Sequence, residues 1–348
     1  MMKTVTKIIL ITALGLILAG FLLGVGTLAI AGLPFGQDYR TYRTEHDAAL
    51  AIRTDLDSAT LCIRQTDGDR IVVICNDLAD NRCTTVTERG GVLEIDYDAR
   101  PWYADVRSWI SFGEDPKYDV EIGIPAGYAG KLTIEGSSGG IEVEDVTLPA
   151  AEFAVNSGFV KFDEVDCTGA LSISARSGMI VLDEVRTAGA LTVSATSGVV
   201  RLSDIDCAGD LTIDGNSGAL RLETIRVKGS LTATRSSGTI TSEQITCQGD
   251  LRLRANSGVI RVDIADAASI DAKTTSGALS FDELTADDIR LEATSGTIRA
   301  EINGRMSDYS ITSGTTSGSN NLPENQSGSG GKTLIALTTS GSINVTFD

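Results

Sequence analysis

The sequence predicts an all-β fold, a parallel β-helix (β-solenoid) with coils of about 20 residues, preceded by one transmembrane helix. Three observations predict it. The dipeptide Ser-Gly recurs at a nearly constant interval, apolar and polar residues alternate between its copies, and an uncharged apolar segment lies near the amino terminus.

The Ser-Gly dipeptide sets the period of the repeat. Between residues 157 and 258 it returns every 20 residues, and the flanking copies are spaced by 19. A chain that turns after a few extended residues needs a positive φ at the corner, which glycine adopts without a Cβ clash. The predicted corner residues are Gly139, Gly158, Gly178, Gly198, Gly218, Gly238, Gly258, Gly277 and Gly296. A second glycine ladder predicts another corner of this kind, at Gly169, Gly189, Gly209, Gly229 and Gly249.

The residues between the glycines alternate with a period of two. Leu191, Val193 and Ala195 share one face with Val200 and Leu202, while Thr, Ser and Arg occupy the other. This period is typical of strands rather than helices, and it predicts two short strands per repeat. One coil cannot bury enough apolar surface to be stable alone, so stacked coils with a filled apolar interior are expected.

The amino-terminal segment predicts a membrane anchor. Residues 8–32 carry no charge and are long enough to span a bilayer, and Lys3 and Lys7 precede them. A cleaved signal peptide is the alternative, since Ala29 and Ala31 form a small-x-small site. Lysines before the span predict a cytoplasmic tail at residues 1–7, with the rest outside a single-pass cell-membrane protein.

The charge and the absence of certain motifs argue against nucleic-acid, metal and phosphate binding. A net charge of −18 and a pI near 4.5 argue against nucleic acid, which requires a basic face. The calcium-binding nonapeptide of β-rolls is absent, as are metal-binding Cys-x-x-Cys and phosphate-binding loops. No metal and no cofactor are therefore expected.

The six cysteines fall into two groups. Cys167, Cys207 and Cys247 are each two coils apart, about 9.6 Å, which exceeds the reach of a disulfide, so they are predicted to be buried thiols. Cys62, Cys75 and Cys83 leave open one bridge of undetermined pairing.

The regular repeats are predicted to occupy residues 131–316, after a juxtamembrane linker at 33–48 and amino-terminal strands with a cap at 49–130. Within that cap, residues 59–64 and 71–75 flank Asp67-Gly68 and predict a β-hairpin. The Ser- and Gly-rich residues 317–331 predict a flexible loop, and 332–348 predict strands that close the rod.

One aromatic segment offers a candidate contact surface. Trp102, Tyr103, Trp109 and Phe112 lie close together. The segment either folds over the amino-terminal end of the apolar interior or binds a sugar, a peptide or the membrane interface.

The organisation resembles the bacterial putative-adhesin family with β-strand repeats, in a membrane-anchored form. The residues that carry the resemblance are Ile122, Gly123, Ile124, Pro125, Leu132, Ile134, Ser138, Gly139, Ile141 and Val143, with the repeats that follow. The family's domain is of unknown function and has no defined site residues. The resemblance implies a β-helical cell-surface protein, often encoded near envelope-stress or regulator genes.

No catalytic residues are predicted. His46 is the only histidine, and the acidic residues recur in register without a unique cluster. We therefore expect a non-enzymatic surface protein for adhesion or interaction, whose partner is the membrane through its anchor and an envelope protein or glycan. A stalk that associates with itself and an accessory sensor of envelope stress are alternatives, and a polysaccharide-active enzyme ranks last.

Overall fold

The computed structural model describes residues 39–47, 49–79, 82–98 and 116–348. The predicted tail, the membrane segment and residues 33–38 and 48 of the linker lie outside these residues, as do Trp102, Tyr103, Trp109 and Phe112. Within the described part, no helix combines the length and hydropathy needed to cross a membrane. These residues contain one short 3-10 helix, at Met306–Asp308.

All described strands belong to one continuous sheet. They are β1 (Tyr39–His46), β2 (Ala51–Leu56), β3 (Leu61–Thr66), β4 (Ile71–Leu78), β5 (Thr84–Arg89), β6 (Val92–Tyr97), β7 (Val120–Pro125), β8 (Lys131–Leu148), β9 (Ala151–Cys167), β10 (Leu171–Thr187), β11 (Leu191–Ser203), β12 (Ile205–Cys207), β13 (Leu211–Val227), β14 (Leu231–Cys247), β15 (Asp250–Ser257), β16 (Ile260–Asp266), β17 (Ser269–Ser276), β18 (Leu279–Thr285), β19 (Asp288–Ser295), β20 (Ile298–Ile302), β21 (Tyr309–Ser317), β22 (Asn325–Gln326), β23 (Lys332–Ser340) and β24 (Ile343–Phe347).

The repeats form a parallel β-solenoid in which each coil lies on the one before. Leu171 pairs with Ala151 on one side and with Leu191 on the other, and Ser177 pairs with Ser157 and Ser197. The predicted 20-residue coil is therefore confirmed.

Each coil has three short extended sides instead of the predicted two strands. In β10 they comprise residues 171–175, 179–183 and 185–187, here called the first, second and third side. Residues 185–187 also pair in parallel with the preceding coil, and Arg186 and Thr187 pair with the following one.

The interior is a closed apolar column. The inward residues of β10 are all buried: Leu171, Ile173, Ala175, Ile180, Leu182, Val185 and Thr187. The same positions are buried in β9 of the preceding coil and in β11 and β12 of the following coil, so inward residues of successive coils contact one another. Each fully buried Leu, Ile or Val side chain contributes about 1.5–3 kcal/mol, which makes stacking the source of stability.

Glycine is required at the Ser-Gly corner for two reasons. All nine predicted corner glycines have a positive φ, which is 136° at Gly198. A Cβ on Gly198 would also collide with the backbone carbonyl of Gly178 in the preceding coil. The corner prediction is confirmed, and the close approach of backbones adds a second constraint.

The second glycine ladder is required for a reason other than the predicted positive φ. Gly209 lacks a positive φ in the left-handed range, but a Cβ there would lie 2.8 Å from the backbone nitrogen of Ala190. Close stacking of the corner between the third and first sides therefore requires these glycines. Left-handed backbone occurs instead at a third corner, where Glu164, Glu184 and Asp204 have φ near 50°.

Strand order at the amino-terminal end differs from chain order. The coil of β2 and β3 lies between the coil of β6 and β7 and the coil of β8. The predicted hairpin of β3 with β4 is wrong, because β7 lies between them, parallel to β3 and antiparallel to β4. The turn signal reflects local conformation only. β7 takes the position between β3 and β4 because Val120, Ile122 and Ile124 are buried there.

The carboxyl-terminal end repeats this arrangement. β23 lies between β19 and β21, so the last strands of the chain enter the stack one level below its end. Residues 317–331, predicted as a flexible loop, lie over this end of the stack as a cap. There Leu322 is buried, β22 pairs with β21, and the Asn321 side chain bonds Val345. Polar and glycine-rich composition alone does not show that these side chains bond to a strand edge.

Candidate interaction surfaces

The third side of the solenoid carries a ladder of alternating charge. Asp166, Arg186, Asp206 and Arg226 occupy one outward column in four consecutive coils. Arg186 lies 3.5 Å from Asp166 and 3.9 Å from Asp206, and Arg226 lies 3.6 Å from Asp206. Thr147 precedes the ladder and Thr246 follows it. The four charged residues Asp166, Arg186, Asp206 and Arg226 are called the charge ladder below.

A shallow groove of about 710 Å³ runs beside the charge ladder. Small side chains line its middle, at Ala188 and Ala208, and Lys228 and Gln248 line one end. Lys228 has no ion-pair partner in the described part of the chain. The groove is open and elongated, which suits a surface contact better than enclosure of a small substrate.

The thiols beside the groove are structural. Sγ of Cys167 donates to the carbonyl of Pro149 (2.8 Å), and Sγ of Cys247 donates to that of Gly229 (3.1 Å). Burial raises the pKa of both thiols, which disfavours the nucleophilic thiolate. Cys62 and Cys75 are also free and buried, so no bridge joins any two of Cys62, Cys75 and Cys83.

The second side carries an apolar ridge that sequence analysis missed. Phe159, Met179 and Val199 directly follow the Ser-Gly corner in successive coils and are 38%, 47% and 42% exposed. The Phe159 ring lies over Gly140, where a Cβ would collide with it. The sequence signal was present, since the apolar residues directly after these three corners fall outside the alternating inward positions.

Charged residues next to this ridge pair with one another. Lys161 lies 2.8 Å from Asp163, and Arg201 lies 2.9 Å from Glu223. Arg221 is shared between Glu223 and Glu243, both at 3.1 Å. Exposed pairs of this kind contribute about 0–1 kcal/mol each, so they keep the surface soluble more than they stabilise the fold.

A polar cluster lies nearer the amino-terminal end of the second side. The Tyr118 hydroxyl donates to Glu142, and Nζ of Lys117 lies 3.2 Å from the same carboxylate. Burial opposes ionisation of Glu142, but hydrogen bonds from Tyr118 and Lys117 hold its pKa below the usual value. Burial and this hydrogen bond raise the pKa of Tyr118. The lowered pKa of the acid and the raised pKa of the phenol favour the ionised acid and the protonated phenol near neutrality, which disfavours proton exchange between the two groups.

The described residues contain no group of three or more His, Cys, Asp or Glu side chains placed to bind a metal ion. His46 lies on β1, where Nδ1 contacts Glu88 (3.2 Å) and Nε2 contacts Thr44 (3.0 Å). Both ring nitrogens are thus engaged with groups other than a serine or cysteine nucleophile.

These features define a class: a parallel β-solenoid whose polar and apolar features lie along its sides. The chain belongs to the Toastrack DUF4097 family, whose model matches residues 49–283 and 241–346. A search of curated proteins finds no significant match.

Three solved structures are similar at low identity. A putative adhesin from Bacteroides fragilis is 12% identical, with a TM-score of 0.24, covering 88% of this chain and 97% of its own. A putative lipid binding protein from Parabacteroides distasonis is 15% identical, with a TM-score of 0.28 and coverages of 89% and 97%. A putative cell adhesion protein from Clostridium sporogenes is 10% identical, with a TM-score of 0.22 and coverages of 90% and 100%.

Proposed function

We propose that this protein is a membrane-anchored extracytoplasmic rod that contacts another envelope component or an external surface through its sides, without catalysis. The observation that carries the proposal is the position of its unusual surface features. The charge ladder and the apolar ridge both run along the rod, whereas the carboxyl-terminal end is covered by residues 318–326.

The proposed anchor sets the orientation of the rod. β1 is the outermost described strand of the amino-terminal end, and among the described strands it pairs with β4 alone. Six residues separate Tyr39 from residues 8–32. Six extended residues reach about 20 Å at most, so this end stays near the bilayer. Fourteen strands stack along the first side from β5 to β21, which gives a rod about 60 Å long.

The covered end favours lateral contact over a stalk that grows end to end. The side-chain amide of Asn321 bonds the backbone of Val345 on β24 through both its nitrogen and its oxygen. β22 pairs with part of β21. Covered edges cannot template pairing with another chain.

Site-specific photo-crosslinking in intact cells tests the proposal. A photoreactive residue at Thr192, Met179 or Arg186 samples the first, second and third side respectively. We expect a discrete adduct from one side and none from the others. Equal labelling from all sides, or none from any, would contradict a side-specific contact.

Two further measurements test the remaining parts. Loss of that adduct on replacing Trp102 and Trp109 by Ser would place the contact at the aromatic segment. The mass of the mature amino terminus separates an uncleaved anchor from cleavage after Ala31. Turnover of cell-wall polymers by the purified protein would overturn the non-enzymatic assignment.

A further inference from the structure

We infer that the charge ladder on the third side pairs two copies of this chain in antiparallel orientation about a two-fold axis. The four charges run in the order negative, positive, negative, positive along one straight column. They form the longest strictly alternating run of charge found in one outward column of the described residues. Uncharged Thr147 and Thr246 bound the run at both ends.

The column is complementary to its own reverse. When a second copy is turned end over end, Asp166 faces Arg226 of that copy and Arg186 faces its Asp206. The same two contacts recur on the other side of the axis, so all four charges meet an opposite charge. A two-fold interface requires this reciprocity.

Parallel arrangements satisfy the ladder less well. In register, each charge would face its own copy, which is repulsive at all four positions. A shift by one coil, about 4.8 Å, pairs three charges and leaves one unmatched on each chain. The antiparallel arrangement alone pairs all of them.

The ladder charges are free to take a second partner. Their side chains are 45–62% exposed, and they contact their neighbours in the same chain at 3.5–3.9 Å. Such exposed pairs are weak, so facing charges add to them at little desolvation cost. The neighbouring outward column has Ala188 and Ala208 at its centre, where the two-fold axis would pass. These small side chains allow the two copies to approach each other closely.

The opposite neighbouring column limits the contact. Glu164, Glu184 and Asp204 are exposed at the corner before the third side. In the antiparallel pair Glu184 would face Asp204 of the second copy, which places two acids opposite each other on both sides of the axis, whereas Glu164 would face the uncharged Thr224. The two copies are therefore expected to meet over the charge ladder and the alanines and to separate toward this corner.

This pairing would specify the partner of the proposed function as a second copy of the chain, and its role at the membrane rests on the proposed anchor. Antiparallel rods have their amino-terminal ends at opposite ends of the pair. Two copies anchored through residues 8–32 would then belong to apposed membranes, and the contact would be homotypic adhesion between two surfaces.

Charge swapping in the full-length chain tests the pairing. Sedimentation of the detergent-solubilised protein should show a monomer–dimer equilibrium. Arg226→Asp places two acids opposite each other and should weaken the dimer at least about tenfold. Adding Asp166→Arg to that variant should restore the dimer, because these positions face each other across the axis.

Restoration would be specific to the antiparallel pair. Within one chain, positions 166 and 226 are three coils apart, about 14 Å, and both substitutions remove an intramolecular pair. Arg221→Asp on the second side is the matched control and should leave the dimer unchanged. The thermal midpoint of each variant shows whether it folds.

Several outcomes would overturn the inference. They are a wild-type chain that stays monomeric, a double variant that is not restored, and equal weakening by Arg221→Asp. Because the photo-crosslinking experiment detects any partner, a monomeric chain that still yields an adduct would refute this pairing and leave the proposed function standing.

Discussion

The guanidinium of Arg235 lies in the space that a side chain on Gly215 would fill. The two residues pair in adjacent coils, and Nη1 of Arg235 passes Gly215 to donate to the carbonyl of Ala195 one coil further on (3.3 Å). Arg235 is 2% exposed, and its Nε and Nη2 have no hydrogen-bond partner among the described residues. A buried cation thus interrupts a column that holds alanine at positions 175, 195 and 255.

This relationship predicts opposite effects of two substitutions. Gly215→Ala should lower the free energy of unfolding by about 1–3 kcal/mol, because the new methyl group collides with the guanidinium. Arg235→Ala should raise it by about 1–2 kcal/mol, because it removes a desolvated charge. The double variant should lose the penalty of Gly215→Ala, as urea unfolding of all four proteins would reveal. Additive effects would show that the two side chains do not share this space.

The Ser-Gly corner predicts a graded series of glycine substitutions. Gly198→Ala should cost more than about 3 kcal/mol, since it combines backbone strain with a collision against Gly178. Gly127→Ala should cost only about 1–2 kcal/mol, because φ is positive there but no atom lies within 4 Å. Gly68→Ala, with neither constraint, should stay within about 0.5 kcal/mol. Thermal unfolding ranks the three, and a Gly198→Ala protein as stable as Gly127→Ala would contradict the close stacking.

The carboxyl-terminal cap depends on one side-chain amide. Nδ2 of Asn321 donates to the carbonyl of Val345 (2.8 Å), and Oδ1 accepts from its N–H (2.9 Å), as a neighbouring strand would. Asn321→Ala should cost about 1–3 kcal/mol and increase aggregation, because it uncovers the edge of β24. Asn344→Ala on the exposed face of β24 is the control. Light scattering during heating measures both, and equal aggregation of the two variants would refute the capping role.

Alkaline pH should destabilise the protein through a buried thiol. Burial, with the nearby carboxylate of Asp77, raises the pKa of Cys75 from 9.0 to about 11. The unfolded chain therefore loses this proton first, and the stabilising contribution present below pH 9 disappears as the pH rises to 11. Between these values Cys75→Ala should lose about 2–3 kcal/mol less than the wild type in urea unfolding. Identical pH profiles would mean that Cys75 ionises normally in the folded protein.

The repeating part of the fold could be predicted from the sequence because each coil repeats the same pattern of inward apolar residues and corner glycines. Leu191, Val193 and Ala195 face inward as their spacing indicates, and Cys167, Cys207 and Cys247 are buried as predicted. The charge ladder was also visible at 20-residue spacing in the sequence. Sequence analysis noted that acidic residues recur in register, but it did not align them with the basic residues of the same column.

Sequence alone determined the period, the inward columns and the Ser-Gly corners, because stacking in register makes every coil impose the same constraints on the next. Only the tertiary structure decided the strand order at the ends, where β7 displaces the expected hairpin partner and β23 enters beneath β21. It also decided that Gly209 is required by close contact and that Arg235 is enclosed. These outcomes depend on which distant backbones meet, and no local period encodes that choice.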